Sequence, residues 1–315
     1  MPTKRIITVF GATGAQGGGV VSTFFNDFEL NTKWTVRAVT RDASKDSAKK
    51  LAEQGVNVVE ADLNDPGSLV QAVKGSDAVF GVTNYWEKAS AELEVEQGKN
   101  LANAVKEASV GHYIWSSLLN ITTLSDGKLP NVYHFDSKAK VEEYVRELGI
   151  PATFFMPGFY MTTFPKELFK PQPPENHWTL ALPVTSSAAM PIFHPRDTGK
   201  YVKAILLNAE ENLGKRILAA TDYVTMQEVV DGFAKVFPVA GESARFFQVP
   251  EDIFRGMLKG KELPDYVVDE LYENLRLAEE FGYFGGTALD HGFVKDHLTT
   301  WVEYAQEAEE FKGLE

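Results

Sequence analysis

No cysteine occurs among the 315 residues. Disulfides, thiolate zinc sites and thiol nucleophiles are therefore excluded, and a reducing compartment fits. No apolar run approaches the roughly 20 residues of a membrane-spanning helix, and Lys4-Arg5-Ile6 leads straight into a strand-like run rather than a secretory leader. A cytoplasmic location is expected, with the nucleus as the other compartment, and no membrane partner. Basic charge is scarce: 31 Lys and Arg against 44 Asp and Glu leave a net charge of −13, with no basic cluster standing apart. Direct binding to nucleic acid is not expected, because that affinity rests on neutralising phosphates. No repeat with a period of about 20 to 50 residues is present, which excludes a solenoid. There is no G-x-S-x-G elbow. His291 and His297, six apart, do not share a helix face, so no metal site is expected.

What is present is ordinary for a globular chain. With 44% hydrophobic and 24% charged residues it can bury a sizeable core in one large or two modest domains. The most informative stretch lies near the amino terminus. Ile6-Ile7-Thr8-Val9-Phe10 reads as a strand, Gly11-Ala12-Thr13-Gly14-Ala15-Gln16-Gly17 as a glycine turn, and Gly18-Gly19-Val20-Val21 as the first turns of a helix. Glycines there let backbone approach a ligand. The unpaired amides that open the helix, with the positive end of its dipole, suit a pyrophosphate. The spacing G-x-x-G-x-x-G departs from the commoner G-x-G-x-x-G, so the strand before and the helix after are what make it a nucleotide signal.

Trp34–Thr40 is a second alternating, β-branched run, and Arg41 follows its end. In a doubly wound sheet the adenosine ribose lies there, and an acidic residue would hold the 2′-hydroxyl of NAD. A guanidinium suits a 2′-phosphate instead, so NADP(H) is the expected cofactor, with Asp42 as an opposing charge nearby. An ordinary solvated arginine is the alternative. Asp62, after a strand at 56–60, would accept from the adenine amino group or cap a turn. Strands at 77–83, His112–Ser116 and 152–156 complete a set of six, separated by helices at 45–54, 66–74, 89–109 and 138–148. That alternation predicts an α/β, Rossmann-type doubly wound parallel sheet over residues 1–160.

Beyond Gly158 the pattern changes. Residues 165–175 hold four prolines and read as a loop. Short strands are expected at 179–182, Ala189–Phe193 and 214–220, and a helix from Asp197-Thr198-Gly199 to Leu207. Thr225-Met226-Gln227-Glu228 has capping-box spacing ahead of a helix to Val236. From Pro250 the chain reads mostly helical, ending in an amphipathic helix over 294–311. Residues 161–315 are expected to form a smaller, mostly helical lobe covering the crevice, with some segments returning to the sheet.

The stretches Gly11-Ala12-Thr13-Gly14-Ala15-Gln16-Gly17, Val39-Thr40-Arg41, Val82-Thr83-Asn84-Tyr85-Trp86-Glu87 and His134-Phe135-Asp136-Ser137-Lys138 together resemble the NmrA-like branch of the atypical short-chain dehydrogenase/reductases. The likeness spans about the first 165 residues, and it is strongest towards the NADPH-sensing NmrA-like redox sensors. It implies NADP(H) bound by Gly11, Ala12, Thr13, Gly14, Ala15 and Gln16, by Arg41 and Asp62, by Thr83, Asn84 and Tyr85, by Lys138, and by the loop 160–163, in which Tyr160 fits the family pattern. The family includes fungal regulators that restrain a GATA-type transcription factor and relatives that are reductases.

Reductases of this kind pair a proton-donating tyrosine with a lysine four residues later. Tyr133 and Lys138 are five apart, diverging by about 140° on a helix, and His134 holds the paired position. Lys138 and His134 are thus the candidate catalytic residues, although the Lys138 charge disfavours an imidazolium beside it and a packed, hydrogen-bonded histidine is the preferred reading of His134. Ser116 or Ser117 could supply a reductase serine. The first expectation is an NADP(H)-binding redox sensor acting through a protein partner, such as a transcription factor or signalling enzyme, or through its own dimer. The alternative is an NADPH-dependent reductase of a planar carbonyl, quinone or imine, with Tyr85, Trp86, Phe159, Tyr160 and Phe164 as an aromatic wall.

Overall fold

Each of the six expected runs of the first half becomes a strand of one parallel sheet: β1 (Arg5–Val9), β2 (Trp34–Thr40), β3 (Asn57–Glu60), β4 (Ala78–Gly81), β5 (His112–Ser116) and β6 (Ala152–Pro157). The computed structural model describes residues 3–290 and 292–315, so His291 lies outside the described residues. Val9 of β1 sits opposite Ala38 of β2 on one side and Phe80 of β4 on the other. The strand order therefore reverses at β1, and a crevice lined by Gly11, Thr13, Val82 and Thr83 lies at the carboxyl ends of β1 and β4, the usual ligand position in such sheets. The helix Ala15–Asn26 leaves the end of β1 directly.

The second half does return to this sheet. β11 (Arg216–Ala219) adds a seventh parallel strand beside β6, giving the order β11-β6-β5-β4-β1-β2-β3. The helix Thr198–Leu207 packs on Ala15–Asn26 with backbone against backbone. A Cβ on Gly199 would lie 2.4 Å from the Gly19 carbonyl oxygen, and one on Gly19 would lie 2.6 Å from that of Arg196. No larger residue fits at either place.

The remaining segments build a lobe with two small sheets. β7 (Phe159–Tyr160), β10 (Ala189–Phe193) and β12 (Asp222–Thr225) form one; β8 (Phe169–Gln172), β9 (His177–Leu182) and β13 (Arg245–Gln248) form the other. The proline-rich stretch expected to be a loop instead contains a π-helical turn, Phe164–Leu168, and the strand β8. Pro171 is tolerated because β8 is an edge strand, with β9 on one side only. Helices Met226–Val236, Glu251–Lys259 and Asp265–Glu280 cover these sheets, and Phe164, Phe169, Phe233, Trp301 and Phe311 pack in their core. The final segment is helical only over Trp301–Glu307, with a 3-10 turn at Glu309–Phe311. Its start is set by the capping box of Thr300 with Glu303, so 294–300 stays outside the helix expected there.

The helix expected at 138–148 begins earlier, at Tyr133. Val132 offers no side-chain cap, which is why no start signal precedes it. Carboxylates from another part of the chain take that role: Glu270 accepts from the His134 N–H at 2.8 Å and Glu273 from the Asn131 N–H at 2.7 Å. Among the described residues no helix is long and apolar enough to cross a membrane, and no cluster of metal-ligating side chains occurs.

Candidate functional site

The crevice at the end of β1 and β4 deepens into one cleft of about 1380 Å³, floored by the sheet and walled by the second lobe. That exceeds the ~300–1,000 Å³ usual for a small-ligand pocket, leaving room for a second molecule beside a dinucleotide.

One end is the glycine turn. Gly11 holds φ of 62°, and a Cβ on Gly17 would fall 2.3 Å from the Gly11 carbonyl oxygen, so the helix can rise close against the strand only with glycine there. Gly14, the residue before the helix, supplies no side-chain cap, so the first-turn amides are open towards the cleft that Gly14, Ala15 and Gln16 line. Uncapped amides, the helix dipole and room that a side chain would fill make this turn fit a diphosphate.

At the end of β2, Arg41 lies on the cleft wall with Lys45. Its Nη1 donates to Glu87 at 2.7 Å, and each partner favours the other's charge: the bond to Glu87 raises the arginine's pKa, and the bond to Arg41 lowers the carboxyl's. Arg41 remains 56% exposed, so its other donors stay free for an anion. Asp42 also lines the cleft, with its Oδ1 accepting from the Ser44 amide at 2.8 Å and from the Ser44 hydroxyl. Asp62 lines the cleft while its Oδ1 caps a turn, accepting from the backbone and side chain of Asn64 at 2.8 Å each. Of its two carboxylate oxygens, Oδ2 is left for another donor.

Further in, Gln16 links two elements, donating to the Tyr160 hydroxyl at 2.6 Å and accepting from Ser116 at 2.9 Å. Burial pushes the Tyr160 hydroxyl up to about 12, against the Gln16 bond, so it stays protonated. Ser117 instead bonds the buried Glu142, which two arginines, Arg146 and Arg216, also hold. Only Ser116 of the pair faces the cleft.

Lys138 is buried, and its ammonium meets Glu94 at 2.7 Å, the Thr83 hydroxyl at 2.8 Å and the Thr83 carbonyl at 3.3 Å. Burial opposes ionisation of Glu94. The Lys138 charge, with hydrogen bonds from Lys138, Ser137 and Thr83, outweighs it and holds the carboxyl below its ordinary range. All three lysine donors are engaged, so Lys138 could hold a ribose hydroxyl only by giving up one of these bonds, the longest being that to the Thr83 carbonyl.

Tyr133 is now settled on a helix with Lys138, and the two diverge. Its hydroxyl donates to Asn131 at 2.7 Å, and it does not line the cleft. His134 does line it. Its Nδ1 lies 2.6 Å from Oε1 of Glu270, whose Oε2 accepts from the Tyr85 hydroxyl at 2.6 Å. Burial first, then Glu270, pushes the Tyr85 hydroxyl far above its usual range, so it remains a donor. Trp86 leans on His134 with ring centroids 5.0 Å apart. Of the expected aromatic wall, Tyr85, Trp86, Phe159 and Tyr160 line the cleft, whereas Phe164 is fully buried in the lobe core against Trp301.

The lobe adds what the sequence reading missed. Phe254, Met257, Leu258, Leu263, Leu271 and Leu275 give the far wall an apolar stretch, and Lys166, Glu167, Lys170, Gln172 and Lys261 line the cleft from the same lobe. Asn274 lines it too, with its Oδ1 buried and without a hydrogen-bond partner among the described residues. Glu94, Glu270 and Asn274 all sit in acid-rich amphipathic helices, where each looks like one more solvated residue. The only available signal was the helical spacing of Glu270, Leu271, Asn274 and Leu275, which puts two polar residues on an apolar stripe.

Comparison with known proteins agrees with this architecture. An NmrA-like family domain-containing oxidoreductase of Aspergillus campestris, cpsB, is 30% identical over 272 residues, spanning 80% of this chain and 78% of the relative. Another so named, malD of Malbranchea aurantiaca, is 30% identical over 264 residues, spanning 78% and 76%. Among solved structures, NmrA, a negative transcriptional regulator crystallised with NADP, superposes with a TM-score of 0.79 at 22% identity, covering 99% of this chain and 98% of NmrA. The triphenylmethane reductase of Citrobacter sp. complexed with NADP(H) gives 0.74 at 20%, covering 96% and 99%. At these identities the structural matches speak to the fold. The model of the NmrA-like family matches residues 3–311, nearly the whole length, and this chain belongs to that family.

Proposed function

We propose that the protein is an NADP(H)-dependent oxidoreductase acting on an apolar, planar carbonyl, quinone or imine. The observation that carries this reading is the continuity of the cleft, which runs from an open-amide turn through an exposed arginine to a chamber with an apolar stretch of wall and room for a second molecule. Pyrophosphate would sit on the open amides of Ala15 and Gln16 beside Gly14, whose own N–H is taken by the Gly11 carbonyl at 2.8 Å, and a 2′-phosphate on Arg41 in competition with Glu87. Asp62, Thr83, Asn84, Tyr85, Lys138 and Tyr160 would meet the rest. When bound, the cofactor supplies a hydride; the chain binds, orients and excludes water. The names of relatives at 30% identity point the same way.

The test is a calorimetric titration with NADPH and NADH, followed by a turnover screen against planar carbonyls, quinones and imines. NADPH binding with turnover of at least one class is expected. A folded protein indifferent to both nucleotides overturns the reading.

A second reading, a redox sensor acting through a protein partner or a dimer, is favoured by the saturated donors of Lys138 and the missing tyrosine four residues before it. It expects nucleotide binding without turnover, and a sedimentation coefficient that differs between NADPH and NADP+.

A further inference from the structure

His134 and Glu270 come from different lobes and meet behind the cleft surface. Glu270 is fully buried and does not line the cleft, while the imidazole stands in front of it and does. One carboxylate oxygen takes both the backbone N–H and the Nδ1 of His134, at 2.8 and 2.6 Å; the other takes the Tyr85 hydroxyl. Nε2 makes no hydrogen bond to the described residues and is not sealed from solvent. A backbone bond and a ring bond to the same oxygen fix the imidazole plane from two points, and Tyr85 holds the carboxylate from the third. A residue that merely capped the helix would need only the backbone bond.

We propose that Glu270 is a positioning residue for the oxidoreductase chemistry above: it fixes the proton of the neutral His134 ring on Nδ1, so that Nε2 is the atom that gives the proton to the substrate oxygen or takes it back. This rests on the oxidoreductase reading. The cofactor, when bound, provides the hydride and both electrons. The chain provides the proton: it leaves Nε2 of the protonated ring for the carbonyl oxygen as the C=O π bond opens, and C–H and O–H bonds form. The ring is left neutral with its remaining proton on Nδ1 against Glu270, and solvent at the cleft mouth restores the other. His134 thus fills the role that a tyrosine four residues before the lysine plays elsewhere, and Lys138, tied to Glu94 and Thr83, keeps to binding.

The test joins two readouts on the full-length chain. Nitrogen-15 NMR of histidine-labelled protein, without nucleotide and with NADP+, reads which ring nitrogen of His134 carries the proton, with His134→Gln giving the assignment. The expected result is the Nδ1–H tautomer in the unaltered chain and Nε2–H in Glu270→Gln, whose amide can donate to Nδ1. In turnover, Glu270→Gln is expected to lower kcat by about 100-fold or more with KM within about threefold. Glu270→Asp should recover part of the loss, and the double variant with His134→Gln should be no slower than His134→Gln alone. An Nε2–H tautomer in the unaltered chain overturns the proposal, and that measurement stands even if a variant fails to fold. Turnover that survives Glu270→Gln overturns this proposal alone. A chain that binds NADPH and reduces nothing overturns the oxidoreductase reading and this proposal with it.

Discussion

At the glycine turn the ligand-facing groups are backbone amides within a few consecutive residues, whereas in the chamber they are side chains that meet across sequence separations of 136 and 185 residues. The first is specified by what is missing, a Cβ at Gly11, Gly14 and Gly17. The second is specified by buried carboxylates, Glu94 and Glu270, each surrounded by donors. The turn should accordingly resist added atoms and tolerate changes of charge nearby. The chamber should do the reverse.

The largest effect is expected from Glu94→Gln, which leaves the Lys138 ammonium buried without a counter-charge. Breaking such a pair costs about 3–5 kcal/mol, to be read by denaturant unfolding. Because the folded-state carboxyl lies below its ordinary value of 4.5, its contribution is present above that pH and is lost as pH falls further. Wild type should lose part of its margin over the variant in acid, and a margin independent of pH would break the assignment of the pair. Next comes Gly17→Ala, whose methyl meets the Gly11 carbonyl. Overpacking of about 1–3 kcal/mol and loss of NADPH affinity should appear together, and unchanged affinity would show that the amides are not the binding groups.

Arg41→Ala sharpens the nucleotide side of the comparison. Loss of a charge-assisted contact worth about 2 kcal/mol should weaken NADPH by roughly thirtyfold and NADH by much less. Equal losses would remove the reason for naming the phosphorylated cofactor. The smallest effect is at Asn274. Replacing it by leucine removes a buried oxygen that has no partner among the described residues and should stabilise the chain by about 1 kcal/mol, while raising KM for any substrate that donates a hydrogen bond to it. A melting temperature that falls would mean the oxygen is satisfied in solution.

The same contrast explains which features were legible in the sequence. All six first-half strands, the glycine turn, the Thr225 capping box and the Arg41 position follow from neighbours in sequence, where period and turn chemistry operate. The start of the helix at Tyr133 does not, because its caps, Glu270 and Glu273, arrive from elsewhere in the fold. Pro171 argued for a loop because an edge strand cannot be told from a central one without its neighbours. His134 was legible as a candidate, but its orienting carboxylate was hidden in the acid-rich helix Asp265–Glu280, and Phe164 passed for a wall residue until its packing against Trp301 placed it in the core.

The seventh strand carries a consequence for biosynthesis. On the ribosome, β6 emerges with one flank of backbone donors and acceptors open, and it stays so while the whole of 158–215 is translated, until Arg216–Ala219 can dock. A nascent chain stalled in that interval displays an apolar strand with a free edge, the kind of surface that chaperones shield and that otherwise recruits a second nascent chain. Slow codons within 158–215 would therefore lower soluble yield more than slow codons after Ala219.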